Sequence, residues 1–261
     1  MFRSLHIAAT GMAAQETQLE GVANNIANAN TTGFKRQRIE FQDLLYQTVR
    51  GAGTRTTEST RSPTGIQLGS GVRVVGTSRS FEQGNIMVTN NPLDVAIEGA
   101  GFFVVQQSDG TNAYTRAGAL QKDSQGQLVT PEGYLIDPPI IVPQDATSVT
   151  IGDDGTVSAL IDAQTAPAAI GQLTIATFVN PAGLAATGKN LFTETEASGE
   201  AQVGTPGSDG RGALLQGALE RANVDVVEEM IGMISAQRAY EVNTKVVTTA
   251  DEMLRSATQM K

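Results

Sequence analysis

The sequence lacks cysteine and tryptophan, and only one of its 261 residues is a histidine. The absence of cysteine excludes disulfide bonds, thiolate metal sites and thiol nucleophiles, although it leaves the redox compartment open. A zinc site needs three or four ligands, and His6 has no second histidine or cysteine to join it. A Ser-His-Asp triad would have to be built on His6, within a segment whose periodicity indicates helix packing. We therefore predict that the chain is not an enzyme and carries no cofactor and no metal.

Long hydrophobic runs are also absent. No stretch reaches 18 consecutive apolar residues, so we predict no transmembrane helix and no membrane insertion. The N-terminal segment MFRSLHIAATGMAAQETQ carries one positive charge, and His6 and Gln15 interrupt its weak apolar run. It does not match a cleavable secretory signal, so the protein would need another route to leave the cytoplasm.

Positive charge is scarce outside the first quarter of the chain. Residues 1–61 carry 7 basic and 5 acidic side chains, whereas residues 62–261 carry 11 basic and 22 acidic ones. The acidic body disfavours nucleic acid as a partner. The N-terminal basic cluster is compatible with a solvated loop or with a protein contact, and it comprises Lys35, Arg36, Arg38, Arg50, Arg55 and Arg61.

Heptad spacing marks the start of the chain. The repeating positions follow steps of three and four, and they are Leu5, Ala8, Met12, Gln15, Leu19, Val22, Ile26 and Ala29. Gln15 is the one polar member, so the pattern predicts a helix with a coiled-coil seam. Thr31, Thr32 and Gly33 are typical of the end of such a helix.

A second helical pattern closes the chain. Glu228 and Glu229 suit its first turn and Arg255 suits a late one. Neither helix can bury its apolar stripe alone, so we predict that they pack on each other and on helices of further copies. The residues predicted to build this helical core are Leu5, Met12, Leu19, Val22, Ile26, Val227, Met230, Ile234, Tyr240, Val247 and Leu254.

The middle of the chain has the pattern of β structure. Asp109-Gly110 and Asp154-Gly155 are hairpin signals between apolar runs, and LTIATFVN is typical of a buried strand. The predicted fold class is therefore α+β, mostly β, with long N- and C-terminal helices paired as a coiled coil and a central β-rich domain. We expect residues 1–33 and 220–261 to form a discontinuous helical core, 34–80 a linker, and 81–219 the β-rich domain.

The linker has two parts. FKRQRIEFQDLLYQ is compatible with a short helix or a strand. The segment that follows, at about residues 47–70, is rich in Gly, Thr, Ser and Arg and has few apolar anchors. Such composition predicts an extended insertion that becomes ordered only through contacts with neighbours.

Asparagines follow the N-terminal seam in GVANNIANANTTGFKR. At about 100° per residue, Asn24 and Asn28 lie opposite Val22 on a helical wheel, and Asn25 lies at the flank. A solvated helix end explains this, although such a face more often uses charged residues that favour helix. The alternative, which we favour as a hypothesis, is that Asn24, Asn25 and Asn28 face a channel or neighbouring helices.

Three separated segments carry a family resemblance. A heptad helix leading into ANNIANANTTGFKR resembles the N-terminal signature of the flagellar axial proteins, which are the rod, hook and hook-associated subunits. VDVVEEMIGMISAQRAYEVNTKVVTTADEML resembles their C-terminal helix, and LDVAIEGAGFFVVQQSDGTNAYTRAGALQKDSQGQLVTPEGYLI resembles the core of the rod and hook β domain. The chain length and the insertion after the first helix are similar to those of distal-rod subunits, with a proximal rod subunit or a hook protein as the alternative.

The resemblance implies a structural role. Such subunits are exported unfolded by the flagellar secretion system and stack into a hollow tube, with the terminal helices around a channel and the β domain outside. The implied partners are further copies of the chain, proximal rod subunits below, hook subunits above, and the peptidoglycan-ring and outer-membrane-ring proteins around the tube. The implied location spans the periplasm to the outer membrane, and the implied task is to transmit torque from motor to hook. In this arrangement Gly33, Phe34 and Lys35 turn the chain outward, and the insertion makes contacts through Arg50, Arg55 and Arg61.

Two other functional classes make different predictions. A hydrolase that opens the cell wall would need a histidine or carboxylate cluster in a cleft. A β-rich binding module would explain the hairpins but would leave the two terminal helices without a task. Deletion of residues 1–30 separates these classes, because a binding module would retain its ligand and an axial protein would lose polymerisation.

Overall fold

A computed structural model describes residues 2–53, 63–161 and 166–259. These residues form two long helices, twenty strands and one short 3-10 turn at Pro181–Gly183. The predicted α+β class with a helix at each end and mostly β structure between them is confirmed. Within the described part of the chain, no helix combines the length and apolar character needed to cross a membrane.

The chain divides into two compact units. The first comprises Met1–Ile26, Gln37–Ser78 and Asp225–Lys261, and the second comprises Ala27–Arg36 and Arg79–Val224. We call them the helical unit and the β unit.

The helical unit contains both long helices and four strands, paired as β1 with β4 and β2 with β3. Its elements are α1 (Phe2–Ala27), β1 (Gln37–Asp43), β2 (Gln47–Arg50), β3 (Ile66–Leu68), β4 (Val72–Arg79) and α2 (Val226–Gln259). The segment whose pattern allowed a helix or a strand is therefore strand β1. Its N-terminal residues Gln37 to Glu40 alternate between half-buried and exposed, which is the period of a strand with one covered face.

The two helices of this unit contact each other and run antiparallel. The Thr244 hydroxyl lies 3.7 Å from the sulfur of Met12, and Val22 lies beside Gly232. The contact that is later in α1 is therefore earlier in α2, as antiparallel helices require. Gly232 has no side chain and Ala236 is buried, so small residues form this side of α2 near Val22, and Asn243 and Thr244 continue it farther along. Small residues permit close approach of two helix backbones.

Two further contacts join α1 to the strands. A Cβ on Gly21 would lie 2.6 Å from the Ile39 side chain, and a Cβ on Gly71 would lie 2.2 Å from the Thr10 hydroxyl. Arg3 donates hydrogen bonds to the Gln47 side chain at 2.9 Å and to a backbone carbonyl of β3 at 3.0 Å. The described part of the insertion is therefore attached to α1 as a β-hairpin.

The β unit is built around β7. Its strands are β5 (Ile86–Val88), β6 (Val95–Glu98), β7 (Phe102–Gln106), β8 (Asn112–Thr115), β9 (Gln121–Lys122), β10 (Leu128–Val129), β11 (Leu135–Ile136), β12 (Ala146–Ile151), β13 (Thr156–Ile161), β14 (Ala168–Gln172), β15 (Ile175–Thr177), β16 (Ala185–Gly188), β17 (Leu191–Thr193), β18 (Gln202–Gly204), β19 (Ala213–Gln216) and β20 (Ala218–Glu220). Strand β7 pairs with β8 on one edge and with β15 and β11 on the other.

Both faces of β7 are covered. Phe103 and Val105 point into one apolar cluster, and Phe102 and Val104 point into a second cluster, in which Phe102, Phe178 and their neighbours make five edge-to-face aromatic contacts. A continuous apolar run such as FFVV is typical of a strand buried on both sides.

The hairpin predictions are confirmed. The Asp109-Gly110 turn joins the antiparallel strands β7 and β8, and the Asp154-Gly155 turn joins β12 and β13. In each turn the aspartate side chain accepts hydrogen bonds from a threonine two residues later, at 2.9 Å from the Thr111 backbone and 3.0 Å from the Thr156 backbone. Residues of LTIATFVN form β15, where Ile175 and Ala176 are fully buried.

Candidate assembly interface

The start of α2 is fixed by Asp225. Its carboxylate accepts hydrogen bonds from the backbone N–H groups of Val227 at 2.9 Å and Glu228 at 3.3 Å. Asp225 and Glu228 occupy the two positions of a capping box, and the acidic first turn complements the helix dipole. The helix therefore begins at a defined residue, which fixes the direction of every side chain along it.

One face of α2 is uncovered and apolar. Side chains on it are mostly exposed, for example 66% for Val227 and 63% for Ile231. We call this surface the open face, and it comprises Val227, Met230, Ile231, Ile234, Arg238, Glu241, Val242, Lys245, Val246 and Met253. A row of large exposed apolar side chains on one helix marks a protein contact surface.

The predicted core residues divide between two sides of α2. Val227, Met230 and Ile234 lie on the open face, whereas Val247 and Leu254 are half-buried on the side near α1. Tyr240 is 40% exposed. In α1, Val22 is buried, and Leu5, Met12, Leu19 and Ile26 are half-buried.

The three asparagines differ in their surroundings. Asn25 is buried, and its amide makes two hydrogen bonds of 2.9 Å with the backbone N–H and C=O of Gln37. Asn24 is exposed and donates a longer bond of 3.4 Å to the Gln37 side chain, and the Asn28 oxygen accepts from the Thr31 hydroxyl at 3.2 Å. Asn25 thus joins the start of β1 to α1 within one chain, and only Asn24 and Asn28 leave surface for a channel or a neighbour.

We expect Asn25→Leu to lower the free energy of unfolding by about 1–3 kcal/mol, because it removes the buried partner of the half-buried backbone N–H and C=O of Gln37. Asn24→Leu is the matched control and is expected to change it by less than about 0.5 kcal/mol, since Asn24 is exposed. Thermal unfolding followed by helical circular dichroism measures both. Equal losses for the two variants would contradict the structural role of Asn25.

The segment after α1 is held inside the β unit. Gly33 has φ of +70°, and its N–H donates to the Glu220 carbonyl at 2.8 Å. A Cβ there would lie 2.7 Å from the backbone of Arg116, so a side chain is excluded by both conformation and space. Phe34 is buried with the Arg79 guanidinium 6.0 Å above its ring.

Lys35 belongs to a buried ionic cluster. Its ammonium is 2.7 Å from Glu220 Oε1 and donates to the Glu82 carbonyl at 2.7 Å. Arg116 Nε is 2.8 Å from Glu220 Oε2, and the Gly84 N–H donates to Oε1 at 2.8 Å. The remaining guanidinium nitrogens donate to carbonyls of Gly99 and Gly101. Lys35, which the sequence groups with loop or contact residues, instead lies at 1% exposure because it has an acidic partner 185 positions away.

The cluster shifts two ionisation equilibria. Burial acts to raise the pKa of Glu220, but the charges of Arg116 and Lys35 and their hydrogen bonds outweigh it and hold this pKa below its usual value. Burial, together with the charge of Arg116, lowers the pKa of Lys35 against the opposing effect of Glu220. Both shifts reflect two cations that share one buried carboxylate.

Sequence reasoning missed Arg116, Glu220 and Asn223. The Asn223 oxygen accepts from the Arg36 N–H at 2.7 Å, and its amide donates to the carbonyls of Ser80 and Glu82. A signal for Glu220 existed. It follows buried Ala218 by two residues along a strand, so the two side chains share the inward face.

The insertion residues are only partly described. Arg50 is exposed at the end of β2 and is paired with Ile66 of β3. Arg55 and Arg61 lie outside the described residues. Leu45, Tyr46 and Val49 are exposed on the same segment, so this hairpin presents apolar side chains as well as Arg50.

Comparison with known proteins gives consistent similarities along the chain. Sequence models match at residues 5–35 (flagella basal body rod protein), 96–159 (flagellar hook protein FlgE/F/G D1 domain) and 215–260 (flagellar basal body rod FlgEFG protein C-terminal). The chain is 50% identical to the flagellar basal-body rod protein FlgG of Borreliella burgdorferi over 100% of this chain and 99% of that protein. It is 49% identical to FlgG of Caulobacter vibrioides over 99% of both, and 42% identical to FlgG of Bacillus subtilis over 100% of both.

Proposed function

The chain belongs to the flagellar basal-body rod protein family, as a structural subunit of the distal rod and not an enzyme, and from this we propose that its copies form a hollow helical drive shaft. The shaft transmits torque from the motor to the hook and conducts exported subunits through its channel. Its place in the flagellar basal body follows from the family.

The open face of α2 is the observation that carries this proposal. One side of α2 is already occupied by α1 within the chain, yet the opposite side exposes a row of valine, isoleucine and methionine side chains. Such a surface on a structural subunit is stabilised when another helix covers it, at about 25 cal/mol per Å² of apolar area. Contacts between different patches on identical subunits generate an open helical polymer when the rotation from copy to copy does not close a ring.

The proposed polymer is layered. The long helices, from the predicted core of residues 1–33 and 220–261, build a coiled-coil inner layer, residues 81–219 build the outer domain, and residues 34–80 connect them, with the insertion at about 47–70 in contact with neighbours. Asn24 and Asn28 supply uncharged polar groups to the channel wall or to neighbouring helices. An uncharged wall suits the passage of unfolded chains of differing charge.

The partners are part of the same proposal. Proximal rod subunits lie below the shaft and hook subunits above it, and the peptidoglycan-ring and outer-membrane-ring proteins surround it between periplasm and outer membrane. Export proceeds through the flagellar secretion system.

Hydroxyl-radical footprinting of methionines tests the proposal. Met230 and Met253 are 53% and 51% exposed on the open face, whereas Met233 is half-buried. In dilute protein we expect Met230 and Met253 to oxidise faster than Met233, since oxidation follows exposure. In assembled rods, their oxidation should become several-fold slower.

Met233 is the internal control, because its exposure should change less on assembly. Mass spectrometry of the same peptide reads out Met230 and Met233 together. Rods in which Met230 and Met253 stay as reactive as in dilute protein would overturn the proposal that the open face is an assembly surface.

A further inference from the structure

The exposed side of α1 carries a second heptad pattern. Its steps alternate between four and three residues, and every member is exposed: Phe2, His6, Ala9, Ala13, Glu16, Glu20 and Ala23. We call this surface the alanine–glutamate stripe. Alanine at Ala9, Ala13 and Ala23 leaves shallow holes, and Glu16 with Glu20 places two negative charges near its centre.

The open face of α2 has the complementary order. Large apolar residues occupy both of its ends, from Val227 to Ile234 and from Val246 to Met253. Between them lie Arg238, Glu241 and Lys245, all exposed, so the centre of this face is net positive. The small residues and negative centre of the stripe are therefore complementary to the large residues and positive centre of the open face.

Among the described residues, the four charges that would meet form no ion pair: Glu16, Glu20, Arg238 and Lys245. Asp251 and Arg255, farther along α2, do form one at 2.9 Å. Opposite charges on matching surfaces set register and suppress wrong pairings.

We propose that the open face of one copy docks on the alanine–glutamate stripe of the next copy, with Arg238 against Glu20 and Lys245 against Glu16. The docking proposal rests on the proposed helical assembly and specifies one contact within it. Copies in a polar polymer point the same way, and α1 and α2 are antiparallel within a chain, so the docked helices are antiparallel as well.

The register agrees with the side-chain sizes. With the charges paired, Val246 lies opposite Ala13, and Ile234 lies near Ala23. Large side chains thus enter positions where the facing helix has only a methyl group, which is knobs-into-holes packing. The two surfaces are different patches of one chain, so the contact continues from copy to copy.

Charge reversal tests the docking. The first variant, Arg238→Glu with Glu241→Lys and Lys245→Glu, reverses the open face and keeps opposite charges at the i,i+3 and i,i+4 spacings within α2. The second variant, Glu16→Lys with Glu20→Lys, reverses the stripe. We expect each alone to raise the concentration needed for polymer formation by about tenfold or more, measured by sedimentation of the full-length protein.

Recombining the reversed surfaces should restore assembly. A chain that carries both sets of changes, and a 1:1 mixture of the two variants, should each polymerise near the wild-type concentration, because the two proposed charge pairs again join opposite signs. The matched control is Asp251→Lys with Arg255→Glu, which reverses the exposed ion pair within α2 and should leave assembly unchanged.

A cross-link supplies an independent measurement. The chain has no native cysteine. Chains with Ala13→Cys can therefore be mixed with chains with Val246→Cys, and no other thiol competes for the disulfide. Oxidation of the mixed polymer should give a disulfide-linked dimer. The docking is overturned if neither mixture nor combined chain recovers assembly, or if this dimer does not form in polymer.

The two proposals fail in different ways. If charge reversal leaves polymerisation intact while Met230 and Met253 are protected, the open face is an assembly surface with another occupant, such as a different rod subunit or another part of a copy. If Met230 and Met253 are not protected at all, the proposed assembly itself fails.

Discussion

Replacing Glu220 by alanine is expected to lower the free energy of unfolding of the β unit by about 3–5 kcal/mol. The variant leaves the Lys35 ammonium and the Arg116 guanidinium buried, each at under 5% exposure, with no carboxylate between them. It also removes the acceptor of the Gly84 N–H. Urea unfolding followed by circular dichroism in the β region measures the loss.

Two variants separate the cluster from a general effect of removing charge. Lys35→Met leaves the neutral pair of Arg116 and Glu220, so its cost should be smaller, at about 1–3 kcal/mol. Glu200→Ala removes an exposed carboxylate in the same unit and should change stability by less than about 0.5 kcal/mol. A Glu220→Ala loss no larger than that of Lys35→Met would contradict the account of two cations held by one carboxylate.

Acid should reproduce the loss in the unaltered chain. The pKa of Glu220 is lower in the folded chain than its ordinary value of 4.5, so unfolded chains take up this proton first as pH falls. The contribution of Glu220 to stability is therefore complete above pH 4.5 and disappears as pH falls through the lower folded value. The Glu220→Ala variant should lack this part of the acid dependence.

The helices and hairpins could be predicted because their signals are local. Heptad steps locate α1, and Asp-Gly pairs locate the turns of two hairpins. The cluster could not be predicted in this way, because Lys35 and Glu220 meet only through long-range folding. Asn25 illustrates the same limit, since its role depends on where β1 begins and not on its position along α1 alone.

Periodicity also left open which side of α2 meets α1. Large apolar residues dominate a helical wheel, so Val227, Met230 and Ile234 were natural candidates for one common seam. The structure instead places small residues such as Gly232 and Ala236 on the side near α1. Small residues contribute little to the apolar pattern on a helical wheel, but they allow two helix backbones to approach closely. Large residues such as Val227, Met230 and Ile234 are thereby left for contacts outside the chain.

This division leads to the second large effect. Replacing Ile231 and Ile234 by glutamine should raise the concentration needed for polymer formation by about 100-fold, because each buried isoleucine contributes about 1.5–3 kcal/mol per contact. The folded chain should be unaffected, since both side chains are already exposed and glutamine favours helix. Sedimentation of the full-length protein measures polymer, and thermal unfolding measures the chain.

The opposite substitution supplies the control. Ala236 is 3% exposed on the side of α2 near α1, and Ala236→Leu would place a larger side chain there. It should destabilise the dilute chain by about 1–3 kcal/mol, whereas the glutamine pair should not. If the glutamine pair instead lowered the unfolding temperature while polymer formation persisted, the open face would serve the fold of the single chain. Separate losses would assign one side of α2 to the chain and the other to the shaft, because most of the large apolar side chains of α2 lie on the side that α1 leaves uncovered.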